Sequence, residues 1–167
     1  MMQKMRRADR EVTGIEEKLK IIDKCKVCRL AMCDGERPYL VPLNFGYEYD
    51  ADVLTLYFHG AHEGRKIDIL KKNSNVCFEM DGAHELTPAD SDGEYGFNFE
   101  SIIGFGKLEF IEDKNEKSRG LGLLMKHQTG EAREFSFDDT ILKATMVCKV
   151  RAEEFTGKRR MAPQKPR

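Results

Sequence analysis

Residues 57–73 read YFHGAHEGRKIDILKKN. The segment ends a strand in aromatics, turns through glycines, and opens an amphipathic helix at about 63–73 with two adjacent cations, Arg65 and Lys66. The start of a helix presents unpaired backbone N–H groups and the positive end of the macrodipole, which favour an anion. Arg grips phosphate bidentately and Lys adds charge, so the pair makes this point a candidate phosphate seat. The residues alone leave a second reading open, in which both cations lie on a solvated helix face.

Working outward toward the N-terminus, residues 1–12 form a basic arm with no periodicity, carrying Lys4, Arg6, Arg7 and Arg10. Thr13 and Glu16 have capping-box spacing, and Ile15, Leu19 and Ile22 recur with helical period, predicting a helix over 14–24. Residues 27–33 read as a strand, Asp34-Gly35 as a hairpin turn, 38–47 as the return strand and 53–59 as a third strand, together an antiparallel meander. Toward the C-terminus, a short strand is expected at 75–80 and a long acidic loop at 81–96. A long strand follows at 97–111, with Gly104 and Gly106 marking a bend or bulge. A helix at 116–129 ends on Gly130, and the last strand covers 143–155. These signals divide the chain into the arm (1–12), one domain (13–155) and a flexible basic tail (156–167). The fold expected is mostly β with helices, a six-stranded antiparallel barrel whose closure removes exposed edges.

Composition narrows the function. The 167 residues suffice for one domain with a real core. A net charge of −1 gives no global basic field for nucleic acid, and no apolar run is long enough to span a bilayer. Five cysteines, without an export signal, indicate reduced thiols and a cytoplasmic location.

The order of GERPYLVPLNFGY, LTLYFHGAHEGRKIDILKKN, VCFEMD and SIIGFGKLEF resembles the FMN-binding split β-barrel, and more narrowly the Nim-type nitroimidazole-resistance branch of the pyridoxamine phosphate oxidase-like family. The opening MRRADREVT is similar to the start of that branch, and the resemblance spans roughly residues 5–155. It implies a homodimer with FMN, or alternatively FAD, at the subunit interface. Arg65 and Lys66 would bind the flavin phosphate. Backbone groups of Val41, Pro42, Leu43 and Asn44 would meet the polar edge of the ring. Phe58 and His59 would lie where the third strand meets the ribityl chain and ring, and Ser101 and Ile103 would close the site. A reduced nicotinamide would serve as electron donor and a small electron-poor molecule such as a nitroimidazole as acceptor. A flavin needs an anion clamp, an apolar slot and backbone donors, and the quoted stretches supply residue types for each. The C-terminal substrate-recognition segment of the phosphate oxidases, with its Arg and His, is missing, which argues against pyridoxamine phosphate oxidation.

Other constellations carry less. Cys25 and Cys28 form a CxxC between a helix end and a strand start, without the further ligands a zinc site needs, so they read as buried thiols. His59 and His62 lack metal partners at suitable spacing, and no metal is expected. His59 is the candidate catalytic group, an imidazole able to donate a proton to a reduced substrate or hold its anionic part. A non-catalytic flavin or haem carrier, or a redox sensor of the same fold, remains the alternative to an enzyme.

Overall fold

The computed structural model describes residues 5–89, 91 and 94–161. Eight strands make one antiparallel sheet: β1 (Glu11–Val12), β2 (Cys28–Asp34), β3 (Arg37–Leu43), β4 (Gly46–Asp50), β5 (Val53–Gly60), β6 (Asn75–Thr87), β7 (Gly96–Ile111) and β8 (Met146–Arg160). Four helices join them: α1 (Ile15–Lys24), α2 (Arg65–Lys72), α3 (Lys114–Thr129) and α4 (Asp139–Ala144). The strand order is β3-β2-β6-β7-β8-β5-β4, with β1 added beside β8. This is the expected split-barrel class, but the sheet does not close, and its two ends, β3 and β4, each pair on one side only.

The expected meander is corrected by this order. The segment read as one return strand, 38–47, breaks at Asn44-Phe45 into β3, which pairs with β2, and β4, which pairs with β5 at the other end of the sheet. Phe45 is fully buried at the break, and its carbonyl oxygen accepts from Gln128 Nε2 at 2.9 Å and lies 2.8 Å from His127 Nδ1. The pull of α3 on this carbonyl turns the chain away from β2. β3 carries Pro38 and Pro42 and buries no residue fully. Prolines cannot donate into a ladder, so their nitrogens belong on the open edge.

The first half of the expected loop at 81–96 is strand. β6 runs on to Thr87 and pairs with β7 up to Thr87↔Gly96, with a register shift between Gly82 and Glu85. Acids without cations of their own gave no alternation to read. Their partners come from elsewhere, since Arg29 Nη1 donates to Glu79 at 2.9 Å and to Asp81 at 2.5 Å. Residues 90, 92 and 93 of the predicted loop lie outside the described residues.

The capping box at Thr13 and Glu16 does not form, because the helix starts one residue later, with Gly14 at the N-cap and no side-chain cap bond. α3 begins on Asp113, whose carboxylate accepts from Glu116 N at 2.8 Å, and ends on Gly130 with φ of 74°, as expected. The short α4 was not foreseen; Asp138 caps it by accepting from Ile141 N at 2.8 Å.

The core lies inside the curled sheet, where Leu30, Phe45, Leu54, Leu56, Phe58, Phe78, Met80, Ile102 and Val150 meet Ile21 and Ile22 of α1 and Ile67 of α2. Each such side chain contributes about 1.5–3 kcal/mol by leaving water. A smaller cluster of Tyr57, Ile111, Leu121, Leu142 and Val147 fills the space under α3 and α4. β5 is therefore covered on both faces. The bend expected at Gly104 and Gly106 is present as a register shift between Phe105 and Gly106. A Cβ at Gly106 would stand 2.3 Å from the Arg151 carbonyl oxygen, and one at Gly104 would stand 2.2 Å from the Phe78 ring.

β8 continues to Arg160 rather than ending at 155, so the first part of the predicted tail is strand; residues 162–167 lie outside the described residues. The signal that escaped the sequence is an inward carboxylate. Glu100 is 5% exposed and accepts from Arg159 Nε at 2.6 Å and Lys24 Nζ at 3.2 Å, while Arg159 also donates to Glu17 at 3.0 Å. The network fastens α1 to β7 and β8. The N-terminal arm is likewise partly ordered, as Ala8–Arg10 form a 3-10 turn and Glu11 and Val12 pair with Lys158 and Gly157; residues 1–4 lie outside the described residues. Replacing Arg159 by Ala leaves Glu100 with only the exposed Lys24, and is expected to cost about 3 kcal/mol in urea unfolding, the usual penalty for stranding a buried charge.

Candidate functional site

The first turn of α2 depends on Gly64. Its φ of 120° lies where L side chains are strained, and its carbonyl oxygen accepts from Ile67 N at 2.8 Å and Asp68 N at 3.1 Å. The N–H groups of Arg65 and Lys66 precede these first bonds and are the orphan donors of the helix start. Two charged side chains leave the same turn in different directions. Arg65 Nη2 donates to Asp34, the last residue of β2, at 3.1 Å, and the guanidinium stacks over the Tyr39 ring at 4.5 Å. Half of its side chain stays exposed. Lys66 instead lies back across the end of β5, where a Cβ added to Gly60 would stand 2.9 Å from its ammonium nitrogen. Gly60 thus makes room for the lysine.

His59 stands beside this ammonium on an exposed position of β5. Desolvation by surrounding protein, and then the Lys66 charge, lower its pKa below the usual 6.5, which favours a neutral ring. Phe58, one residue earlier, is 1% exposed and belongs to the core, so its ring does not face the surface. Buried Cys148, paired across from Phe58, has its thiol pushed up to about 12 by burial, with Lys66 acting weakly in the opposite direction.

β3 supplies the flank of the site. Val41 and Leu43 are half-buried and pack on the core, whereas Pro42 and Asn44 are exposed. The Asn44 amide is already used, donating to the Lys26 carbonyl and to Gln128 Oε1, both at 3.0 Å. Arg65 on Tyr39 sets the α2 start against the hairpin end of β3, with Lys66 and His59 beside it, while Val41–Asn44 continue along the strand toward Lys26 and Gln128.

Ser101 and Ile103 do not join them within one chain. His59 pairs with Val147 of β8, while Ser101 pairs with Lys158 of the same strand. That separation along β8 amounts to roughly 30 Å or more. Ile103 instead shares a cross-strand row with Glu79, Arg29 and Pro42. The neighbouring row holds Leu40, Ala31, Cys77 and Phe105. Leu40, Ile103 and Phe105 are 52%, 42% and 43% exposed, an apolar strip on one face of the sheet.

The remaining candidates are structural. Cys25 and Cys28 are buried free thiols, pushed up to about 11 and about 12 chiefly by burial, and the Cys25 thiol sits 3.5 Å from the Asp81 carbonyl oxygen. His62 Nε2 lies 3.0 Å from the Lys143 carbonyl oxygen. Among the described residues no three His, Cys, Asp or Glu side chains are grouped to hold a metal ion, and no helix is long and apolar enough to cross a membrane. Asp34, Tyr39 and Gly64 were missed as site residues. Asp34 gave a turn signal, but nothing in the sequence tied its carboxylate to an arginine 31 positions on.

Residues 15–159 match the family model described as pyridoxamine 5'-phosphate oxidase, and the chain belongs to that family. Among solved structures it is similar to a protein of Bacteroides thetaiotaomicron provisionally assigned to 5-nitroimidazole antibiotic resistance, at 36% identity, covering 89% of this chain and 85% of that one with a TM-score of 0.77. It also shares its fold with the flavocytochrome Anf3 of Azotobacter vinelandii (22% identity, 96% and 74% covered, TM-score 0.78). A further match is an FAD- and haem-binding protein of Mycobacterium smegmatis (20% identity, 94% and 77% covered, TM-score 0.77). A search of curated proteins finds no match.

The proximity of Lys66 to His59 has a measurable consequence. The His59 ring is expected to titrate below 6.5 in an NMR pH series, and Lys66→Ala is expected to raise that value by removing the neighbouring positive charge. Since the folded ring binds protons less readily than the unfolded one, its contribution to stability is present above 6.5 and is lost as the pH falls below 6.5 and through the lower folded value.

Proposed function

We propose that this protein is a flavin-dependent oxidoreductase that passes electrons from a reduced nicotinamide to a small electron-poor acceptor such as a nitroimidazole. The observation that carries the reading is the α2 start. Two orphan N–H groups and two cations start from that one turn, beside an open strand edge, in a chain that is 36% identical to a protein provisionally assigned to nitroimidazole resistance.

The residues fit FMN. Arg65, Lys66 and their backbone amides would hold the phosphate, and β3 would lie along the ring with its unpaired edge groups. Arg65 is half exposed, and its tie to Asp34 orients the guanidinium without consuming all five donors. When bound, the flavin would supply the hydride and electron chemistry. The chain's part is to orient the acceptor, keep water from it, and manage one proton. His59 is the candidate for that proton, and its depressed pKa suits a ring that is neutral at rest and gives up a proton readily once charged.

The second half of the site would come from another copy of the chain. Ser101 and Ile103 lie far from His59 in one chain, and the strip of Leu40, Ile103 and Phe105 is an apolar face of the kind that a homodimer covers. Five free thiols suit the cytoplasm.

The purified protein is expected to be yellow, to bleach with NADPH under anaerobic conditions, and to recover on adding a nitroimidazole. The Arg65→Ala/Lys66→Ala variant is expected to bind FMN roughly a hundredfold more weakly, the cost of two charge-assisted contacts. Unchanged FMN affinity in that variant removes the clamp assignment. A flavin that stays inert to both reagents makes the protein a carrier instead of an enzyme.

A further inference from the structure

Beside α2, a cleft is bounded by α2, α3, α4, the end of β7 and the start of β8. It has two lobes of about 170 and 160 Å³ that share Glu112 and Lys117 as their common wall. Ile67, Phe110, Ile111, Met146 and Val147 line the first lobe and Leu142 the second. Cross-links hold the walls in place. Lys114 Nζ pairs with Asp139 at 2.5 Å, joining α3 to α4, and His62 reaches the Lys143 carbonyl at 3.0 Å, joining the α2 approach to α4.

Lys117 is the unusual member. It is 8% exposed, yet its ammonium makes no hydrogen bond or ion pair among the described residues. Among the described residues no side-chain nitrogen or oxygen is buried without a partner, so Lys117 buries its stem while its unpaired ammonium stays accessible at the cleft. Its position adds to the positive field, because Lys117 lies in the first turn of a 16-residue helix, where the macrodipole favours an anion. Lys71 and Lys143, both exposed, add positive charge around the lobes and are likewise without ion pairs among the described residues. Lys114 and Asp139 neutralise one another. Of the two carboxylates on the lining, Asp139 is paired with Lys114, and no cation lies within ion-pair distance of Glu112 among the described residues.

We propose that this cleft binds a small organic anion, a carboxylate or a phosphomonoester, whose charged head meets Lys117 and whose apolar body lies on Ile67, Ile111, Leu142 and Val147. The first turn of α3 adds its dipole to the same point. The site is distinct from the flavin clamp at Arg65 and Lys66, although His62 and Ile67 bring its edge to the same helix.

The test uses the full chain as purified, flavin included, at constant ionic strength set with chloride. Benzoate and phenyl phosphate are titrated separately while the methyl resonances of Leu142 and Val147 are followed by NMR. Saturable shifts with either probe are expected, and the probe that acts tells carboxylate from phosphomonoester. Lys117→Met, which keeps the stem and removes the charge, is expected to weaken binding roughly tenfold or more. The surface double variant Lys71→Ala/Lys143→Ala is expected to weaken it as well, and it gives the answer even if Lys117→Met does not fold. Arg65→Ala/Lys66→Ala should leave these shifts intact. The proposal falls if neither probe gives saturable shifts, if removing the lysines leaves affinity unchanged, or if only the Arg65/Lys66 variant abolishes the response.

Discussion

The close approach of β7 and β8 at Gly104 and Gly106 is the constraint on which the rest depends. No side chain fits at either position, since Phe78 and Phe155 crowd the first and the Arg151 carbonyl the second. With two backbones this near and one residue out of register, the sheet must bend. The bend lets its two ends curl around a shared core without pairing. A gap is left between them, and α2 bridges it, running from the end of β5 to the end of β2 through Arg65 and Asp34. The candidate site is a by-product of that bridge. A helix start, a strand edge and a strand end meet there because the sheet stops short of closing.

Much of this was legible in the sequence. The α2 segment, α3 with its glycine stop and the glycine bend rest on local signals of spacing and turn chemistry, while the split-barrel class rests on the resemblance of several ordered motifs to a known family. What local signals could not convey was pairing at a distance. The break between β3 and β4 is set by contacts of Phe45 with His127 and Gln128, more than 80 residues away. The extension of β8 to Arg160 is set by Glu100 and Glu17, which convert an apparently loose basic run into an ordered strand. The acidic stretch after Met80 read as loop because its cation, Arg29, belongs to β2.

The same limit governs the site. Residue types in 57–73 and 38–47 suggested an anion seat beside a flat surface, and the structure sets Arg65 against Asp34 and Tyr39, with Lys66 and His59 beside the end of β5. The sequence had no means of showing that Phe58 turns inward while His59 turns outward, beyond the alternation of a strand whose both faces are covered. Nor could it show that Lys117 would be buried; a lysine in a charged helix gives no sign that the facing surface is α4.

The two prolines of β3 carry an implication for the behaviour of the protein in concentrated solution. A strand at the rim of an open sheet is a template on which stray polypeptide can stack and grow into fibrils. Rim positions that offer oxygen but no N–H, as at Pro38 and Pro42, interrupt the regular exchange such stacking requires. The sheet can therefore stay open for small molecules while resisting unlimited growth by addition of further strands.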